Sequence, residues 1–311
     1  ADRVPDLEAD DAAARAAATP AVDAAVRARE RADRLADKCK KVVYPLSKAL
    51  RAAGGFADLE VVRHARVPLV KASFRGVAVD VVPGNDLAVV NSRLLRAYCG
   101  QRDCRRLCLL AKRWAGARGL NRAPDGFLSS YAHTLTVLHF CLVEGVLAGD
   151  LHAAAARAGA PKASLRGLDV TFVDPGPLPA CGRSLPGLLR AYFAYMVAAA
   201  KGDAALSCRA RAPGDGAKGG AYRFPKARWK HKSEAAAAQC AARLSVEDPF
   251  LAHDAPRSHD VAATLDARPY RELKAEYARA LALLDGDAPV EETAAALFAV
   301  KGARGAAPPK W

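Results

Sequence analysis

The chain changes its hydrophobic period twice. From about Ala21 to Ala53, Val22, Val26, Leu35, Val43, Leu46 and Leu50 recur at steps near three and four among Arg, Lys and Glu, the stripe of an amphipathic helix. Gly54-Gly55 ends it. Three short β-rich runs follow: Leu59–His64, Val67–Phe74 and Val77–Val82. Arg75-Gly76 reads as the hairpin turn between the last two, and Pro83-Gly84-Asn85 closes the strands. The helical period then returns. It predicts helices near Asn91–Tyr98, Arg102–Arg118, Leu128–Val146, Leu185–Ala200, Glu234–Arg243, Tyr270–Leu284 and Glu291–Val300. Ala1–Pro20 lacks the apolar period a core needs and reads as a flexible lead-in, Ala212–Gly220 as a loop, and the residues from Gly302 as a frayed tail. A short β region followed by a long helical one predicts an α+β fold, and no internal repeat appears.

Composition narrows the partners. The 311 residues carry 47 Lys+Arg against 33 Asp+Glu, a net charge of +14. An excess of that size favours a polyanion, nucleic acid before membrane, because phosphate contacts release counterions. No membrane span is expected: the best apolar run, Leu135–Ala148, is interrupted by His139 and Glu144 and is too short. The eight cysteines are scattered with no CxxC pair. Cys104 and Cys108 sit four apart in a helical pattern and read as small buried side chains, with reduced thiols and a cytosolic, nuclear or organellar-matrix compartment. The chain does not start with Met, which suggests a fragment or a processed product.

Several residues offer chemistry. Asp80 sits in the β-branched run Val77–Val82, where a carboxylate among apolar neighbours is costly unless it pairs or binds a cation; a turn-facing aspartate beside Pro83–Asn85 is the equal alternative. Lys112, between Leu109-Leu110 and Trp114, is read on the apolar side of its helix, with a snorkelling lysine as the rival. Ser129-Ser130-Tyr131 opens a helix whose free N–H groups and hydroxyl suit phosphate oxygens; the plain readings are an N-cap serine and a core tyrosine. Lys226, Arg228, Lys230 and Lys232 surround Trp229, either a single-stranded RNA contact or a solvated charge run.

Taken in order, Ala65-Arg-Val-Pro68-Leu-Val-Lys71, Val79-Asp80, Asn91–Tyr98, Leu109-Leu-Ala-Lys112-Arg-Trp114, Gly126-Phe-Leu-Ser-Ser130-Tyr131 and Val246-Glu-Asp248-Pro-Phe250 resemble the terminal uridylyltransferases and noncanonical poly(A) polymerases. The resemblance spans roughly Leu59–Leu284. It implies part of a nucleotidyltransferase palm, over 21–84 after a lead-in of 1–20, then a helical central domain over 85–300 that contains a PAP-associated segment at 184–258, and a tail at 301–311. It implies that Asp80 is the third metal-site aspartate, with Mg2+ or Mn2+ as the cofactor, and that Asn85 and Asn91 lie near the nucleotide. Asn91 is read first as the N-cap of Ser92–Tyr98, and Asn85 equally as a turn residue. Lys112 and Ser130 fall to the triphosphate, Tyr131 to the base, and Asp248 to the base edge. The second family lysine is replaced by Gly116, for which Arg118 is the candidate substitute. His253 reaches the family's base-selecting histidine only with a one-residue deletion, a lean toward UTP over ATP.

One part of the pattern is missing. Two ions held about 3.5–4 Å apart need several carboxylates. The family's Gly-Ser turn and first two aspartates are not found before Asp80; Asp6-Leu-Glu8 and Asp10-Asp11 lack the turn and the strand. Truncation or loss of catalysis would each account for this. The implied reaction is attack of an RNA 3′-OH on an NTP with release of pyrophosphate. The alternatives are an ATP-using poly(A)-adding relative and an inactive RNA-binding relative. A cytoplasmic or nuclear location is expected, with the mitochondrion kept open.

Overall fold

The structure is a computed structural model that describes residues 41–65, 67–200, 204–210, 222–226, 238, 240, 242–251 and 259–301. The amphipathic stripe is helical over residues 41–53 (α1) and stops at Gly54 and Gly55, whose φ values of 72° and 76° lie in the left-handed region. The β-rich runs become β1 (Phe56–Val62), β2 (Leu69–Phe74) and β3 (Val77–Val81), one antiparallel sheet in the order β1-β2-β3. Arg75 and Gly76 both take positive φ, 50° and 79°, as a two-residue hairpin loop with the strand twist requires. A bulge lies between Ala57 and Glu60, where Asp58 has φ 53°.

Register decides what each face carries. Val70 pairs with Val81, Ala72 with Val79 and Phe74 with Val77, so these share one face, on which Val70 is fully buried. The other face carries Glu60, Lys71 and Asp80 as one cross-strand row, with Lys71 3.7 Å from Glu60. Asp80 is exposed. This corrects the expectation of a costly carboxylate among apolar neighbours: the face Asp80 shares with Lys71 and Glu60 is exposed, so the carboxylate keeps its water and no burial cost demands a cation.

Helix α2 runs from Asp86 to Tyr98, longer than the sequence pattern suggests. The Asn85 carbonyl already accepts the Ala88 N–H at 3.1 Å, so the helix begins directly after the Pro83-Gly84-Asn85 turn. Asn91 is therefore inside the helix and is not its N-cap.

The chain divides into two compact units, the described residues up to Asn91 with Leu165–Gly167, and Ser92–Ser164 with the residues from Leu168 onward. In the first, the Arg166 guanidinium donates to the Gly84 carbonyl at 2.8 Å and to Asp86 at 2.6 Å, and so fixes the turn that carries Asn85. The second is helical. Its elements are α3 (Arg102–Ala117), α4 (Ser130–Val143), α5 (Leu151–Arg157), α6 (Leu185–Ala199), α7 (Ala267–Asp285) and α8 (Val290–Leu297). The minor strands are β4 (Ser164–Leu165) with β5 (Leu168–Asp169), and β6 (Ala204–Leu206) with β7 (Arg223–Pro225).

The apolar stripe of α3, Cys104, Leu107, Cys108, Ala111, Trp114 and Ala115, packs inward and sets the core. Trp114 is stacked on Tyr277 of α7 at 5.2 Å and meets Phe193 of α6 edge-on at 5.0 Å. Helix α5 has no counterpart among the expected helices, because Leu151 is its only large apolar side chain and it makes no stripe. What starts it is local: Asp150 caps it, accepting the His152 N–H at 2.8 Å. Most of the expected helix at Glu234–Arg243, and the loop at Ala212–Gly220, lie outside the described residues. No described helix is long and apolar enough to cross a membrane.

Candidate functional site

The site is clearest at the start of α4. Ser129 caps the helix by accepting the Ala132 N–H at 3.1 Å, which leaves Ser130 as its first residue. The Asn121 amide donates to the Ser130 hydroxyl at 3.4 Å. Asn121 was not singled out by sequence; the signal available was its place just after the Gly119-Leu120 end of α3. Gly126 controls the approach to this helix start. Its φ is 79°, and a Cβ there would lie 2.6 Å from Asp266 Oδ2. Gly126→Ala is expected to cost about 1–3 kcal/mol, measured as a lower urea midpoint at unchanged slope.

Tyr131 and Asp248 are 117 positions apart and meet. The Tyr131 hydroxyl donates to Asp248 Oδ2 at 3.4 Å, and Asp248 Oδ1 accepts the N–H groups of Phe250 at 2.9 Å and Leu251 at 3.2 Å. Burial raises the Asp248 carboxyl above its usual range, against the pull of those two N–H groups. Burial first, then the Asp248 charge, pushes the Tyr131 phenol up, so it is a protonated donor at neutral pH. The Val246–Phe250 segment is held around this pair. Its Glu247 accepts the Ser207 hydroxyl at 2.5 Å, and Glu247 N–H donates to the Leu206 carbonyl at 2.8 Å. Asp248 thus forms the turn and holds the Tyr131 hydroxyl, while Glu247 is wholly buried packing.

The other expected site residues divide. Lys112 is exposed, and the α3 stripe runs through Cys108, Ala111 and Ala115 instead; the reading that put it on the apolar side is corrected, because neighbours in sequence are not neighbours on a helix face. Arg118 is not a spare triphosphate ligand. It makes a two-pronged ion pair with Glu276, at 2.9 and 2.8 Å, and donates to the Ala299 carbonyl at 2.9 Å. Lys226 is buried, with its ammonium on the Arg243 carbonyl, which removes it from any RNA face. Arg228, Lys230, Lys232 and His253 lie outside the described residues. Among the described residues, the His259 N–H donates to the Leu251 carbonyl at 2.8 Å. Asn85 is half-buried in its turn, and Asn91 Oδ1 is buried without a hydrogen bond, an orphaned acceptor on α2. Asp80, Asn85 and Asn91 belong to one unit and Lys112, Ser130, Tyr131 and Asp248 to the other.

Three histidines in the helical unit serve packing. His133 Nε2 and His152 Nδ1 each donate to a carbonyl, of Leu120 at 3.0 Å and Thr171 at 2.8 Å, and His139 Nδ1 donates to Ser207 at 2.8 Å. A carbonyl only accepts, so the tautomers are fixed. Burial pulls each imidazole down to about 4 from the usual 6.5. Between those values the unfolded chain binds protons the native one refuses, so stability rises with pH. We expect the thermal midpoint to be flat above pH 7 and to fall steadily from pH 6.5 toward 4. An unchanged midpoint across that window would show the rings are not sealed.

Comparison with known proteins agrees with this architecture. Residues 21–100 match a family model described as the central palm domain of mitochondrial-like poly(A) RNA polymerase. The chain is 35% identical over 105 residues to terminal uridylyltransferase 7 of Homo sapiens, covering 33% of this chain and 7% of that protein. It is 37% identical over 107 residues to poly(A) RNA polymerase GLD2 of Danio rerio, covering 32% of this chain and 22% of that one. The chain thus spans less than a quarter of each of these relatives. Among solved structures, Cid1, described as having RNA terminal uridylyl transferase activity, superimposes with a TM-score of 0.62 at 23% identity, over 85% of this chain and 78% of Cid1. A complex of mtPAP with GTP gives a TM-score of 0.64 at 18% identity, over 85% of this chain and 55% of the other. At those identities the structures speak for the fold, an α+β assembly of a small antiparallel sheet and a mainly helical part. Palm match and sequence relatives together make this chain similar to the terminal uridylyltransferases and noncanonical poly(A) polymerases, on the fold that the solved structures share.

Proposed function

We propose that the protein takes part in adding nucleotides to RNA 3′ ends, with UTP the favoured substrate and ATP the alternative, and that the start of α4 is where the nucleotide binds. The observation that carries this is the meeting of Tyr131 with Asp248, brought from distant segments to a half-buried position beside a helix N-terminus. The chemistry follows from the parts. Free N–H groups and the Ser130 hydroxyl offer donors to phosphate oxygens, helped by the positive end of the α4 dipole. The Tyr131 ring offers a plane for a base, fixed by its bond to Asp248. Lys112, solvated and unburdened by a burial cost, supplies a mobile positive charge for the triphosphate. In-line attack by the RNA 3′-OH would then draw on positioning and charge neutralisation.

In Cid1 a complex with magnesium and 3′-dATP is known. Mg2+ or Mn2+ on this chain would find Asp80 as one oxygen ligand, exposed on the polar face of its sheet. A two-ion site needs more carboxylates than that. Among the described residues no cluster of three acidic groups is drawn together, and the row that holds Asp80 places Lys71 between it and Glu60. The described residues therefore do not make a two-ion cage, and no chemical step is assigned to a metal. As domains, the palm part is assigned to 21–84, the helical part to 85–300 and the PAP-associated segment to 184–258.

The test has two arms. Titrating UTP and ATP into the chain should give saturable binding, which Tyr131→Ala or Lys112→Ala weakens roughly tenfold or more, as loss of a stacking or charge contact implies. Incubation with a short RNA primer and each NTP then separates extension from binding alone. Binding that ignores both substitutions would overturn the assignment of this site.

A further inference from the structure

A thiol cluster lies at the corner between α2 and α3, in the helical unit, with Lys112 of the proposed nucleotide site one turn of α3 beyond Cys108. Cys99 follows the last turn of α2, and its N–H donates to the Leu95 carbonyl at 2.9 Å. Cys104 and Cys108 project from successive turns of α3 onto one buried face. The three sulfurs all lie within 4.8 Å of one another.

The corner is built to hold that spacing. Gly100 can have no side chain, because a Cβ would sit 2.5 Å from the Gly176 carbonyl. The Gly100 carbonyl accepts the Leu178 N–H at 3.2 Å. Gln101 caps α3, accepting the Cys104 N–H at 2.6 Å while donating to the Pro179 carbonyl at 3.2 Å. Backbone and cap therefore set where Cys99 stands against the two helix thiols. On its outer side Cys99 lines an open cleft of about 510 Å³, together with Arg96, Arg105 and Asp174.

We propose that Cys99, Cys104 and Cys108 form a three-thiolate site for a thiophilic d10 metal ion, Zn2+ in the first place, with the fourth coordination position open to the cleft. Zinc–sulfur bonds of about 2.3 Å put the sulfurs of such a site about 4 Å apart, a contraction of under about 1 Å from the limit seen here. Binding releases the three thiol protons, and the resulting anionic site has the Arg96 and Arg105 guanidinium groups beside it to offset its charge. One disulfide would use two sulfurs and leave the third idle, whereas an ion uses all three. The spacing, four residues then three between the cysteines, differs from a CxxC pair, which is why the sequence pattern does not announce it.

The test uses the full chain, reduced, stripped of metal and titrated with Co2+ as a spectroscopic probe. A sulfur-to-cobalt charge-transfer band should saturate at one ion per chain and be displaced by Zn2+. Cys99→Ser, which is half-exposed and leaves the core intact, should weaken Co2+ and Zn2+ binding roughly tenfold or more, and so should Cys108→Ser. Cys240→Ser, outside the cluster, should leave it unchanged. A circular-dichroism melt of each metal-free variant checks that the loss is not unfolding. No band, a band indifferent to Cys99→Ser, or ready formation of a disulfide at Cys99 in a protein that takes up neither ion would overturn the proposal.

Discussion

Trp114→Ala should remove about 3–5 kcal/mol of stability, the largest effect expected of any single truncation in the chain. The indole is wholly buried and touches three rings, Tyr277, Phe193 and His133, from three different helices. Truncation opens a void that α3, α4, α6 and α7 would all have to collapse to fill. Against a typical total of about 5–15 kcal/mol, the variant would lie close to unfolding. Trp114→Phe should cost much less, because Trp114 Nε1 is buried with no hydrogen-bond partner and the smaller ring removes that unmet donor. Urea unfolding followed by circular dichroism measures both. A drop of under about 1 kcal/mol for the alanine variant would mean that this cluster is not the centre of the core.

Asp260→Ala should come next, at about 3–5 kcal/mol, for a different reason. Asp260 forms a buried ion pair with Arg243 at 2.6 Å. Its other oxygen accepts the N–H groups of Val246 at 3.0 Å and Ala262 at 2.9 Å. Removal strands a buried guanidinium, whose Nε already lacks a partner, and two backbone donors. The loss reaches the proposed site as well, since Val246 begins the segment that carries Asp248. Nucleotide affinity should fall in variants that remain folded. Asp260→Asn should keep the two N–H bonds and lose the charge, and so fall between the two in stability. Equal unfolding midpoints for Asp260→Ala and the parent chain would contradict the role given to this carboxylate.

The sequence made some of this legible and hid the rest for identifiable reasons. The three strands and their hairpin were readable because β-branched alternation and a two-residue turn are local signals. Which face of the sheet is covered is not local, and so Asp80 was expected among apolar neighbours when it stands exposed beside Lys71. The α3 helix was readable end to end, yet Lys112 was misplaced by its neighbours in the chain; Leu109, three positions before it, is itself 58% exposed. Lys226 sits in a strongly basic stretch that reads as solvated, and only tertiary structure shows its ammonium on the Arg243 carbonyl. The pairing of Tyr131 with Asp248 was implied by resemblance, not by any spacing, since 117 positions separate them. The cysteine corner needed the fold too, because two of its thiols belong to one helix and the third to the turn before it.

Photolabelling tests the central claim most directly. A UTP analogue with a photoreactive base, irradiated on the chain and mapped by peptide mass spectrometry, should label the start of α4 at Ser130–Tyr131 and the Asp248 segment. Unlabelled UTP should suppress both labels together. Saturable, UTP-competed labelling confined to other peptides would contradict the account, and so would labelling of these peptides that UTP does not suppress.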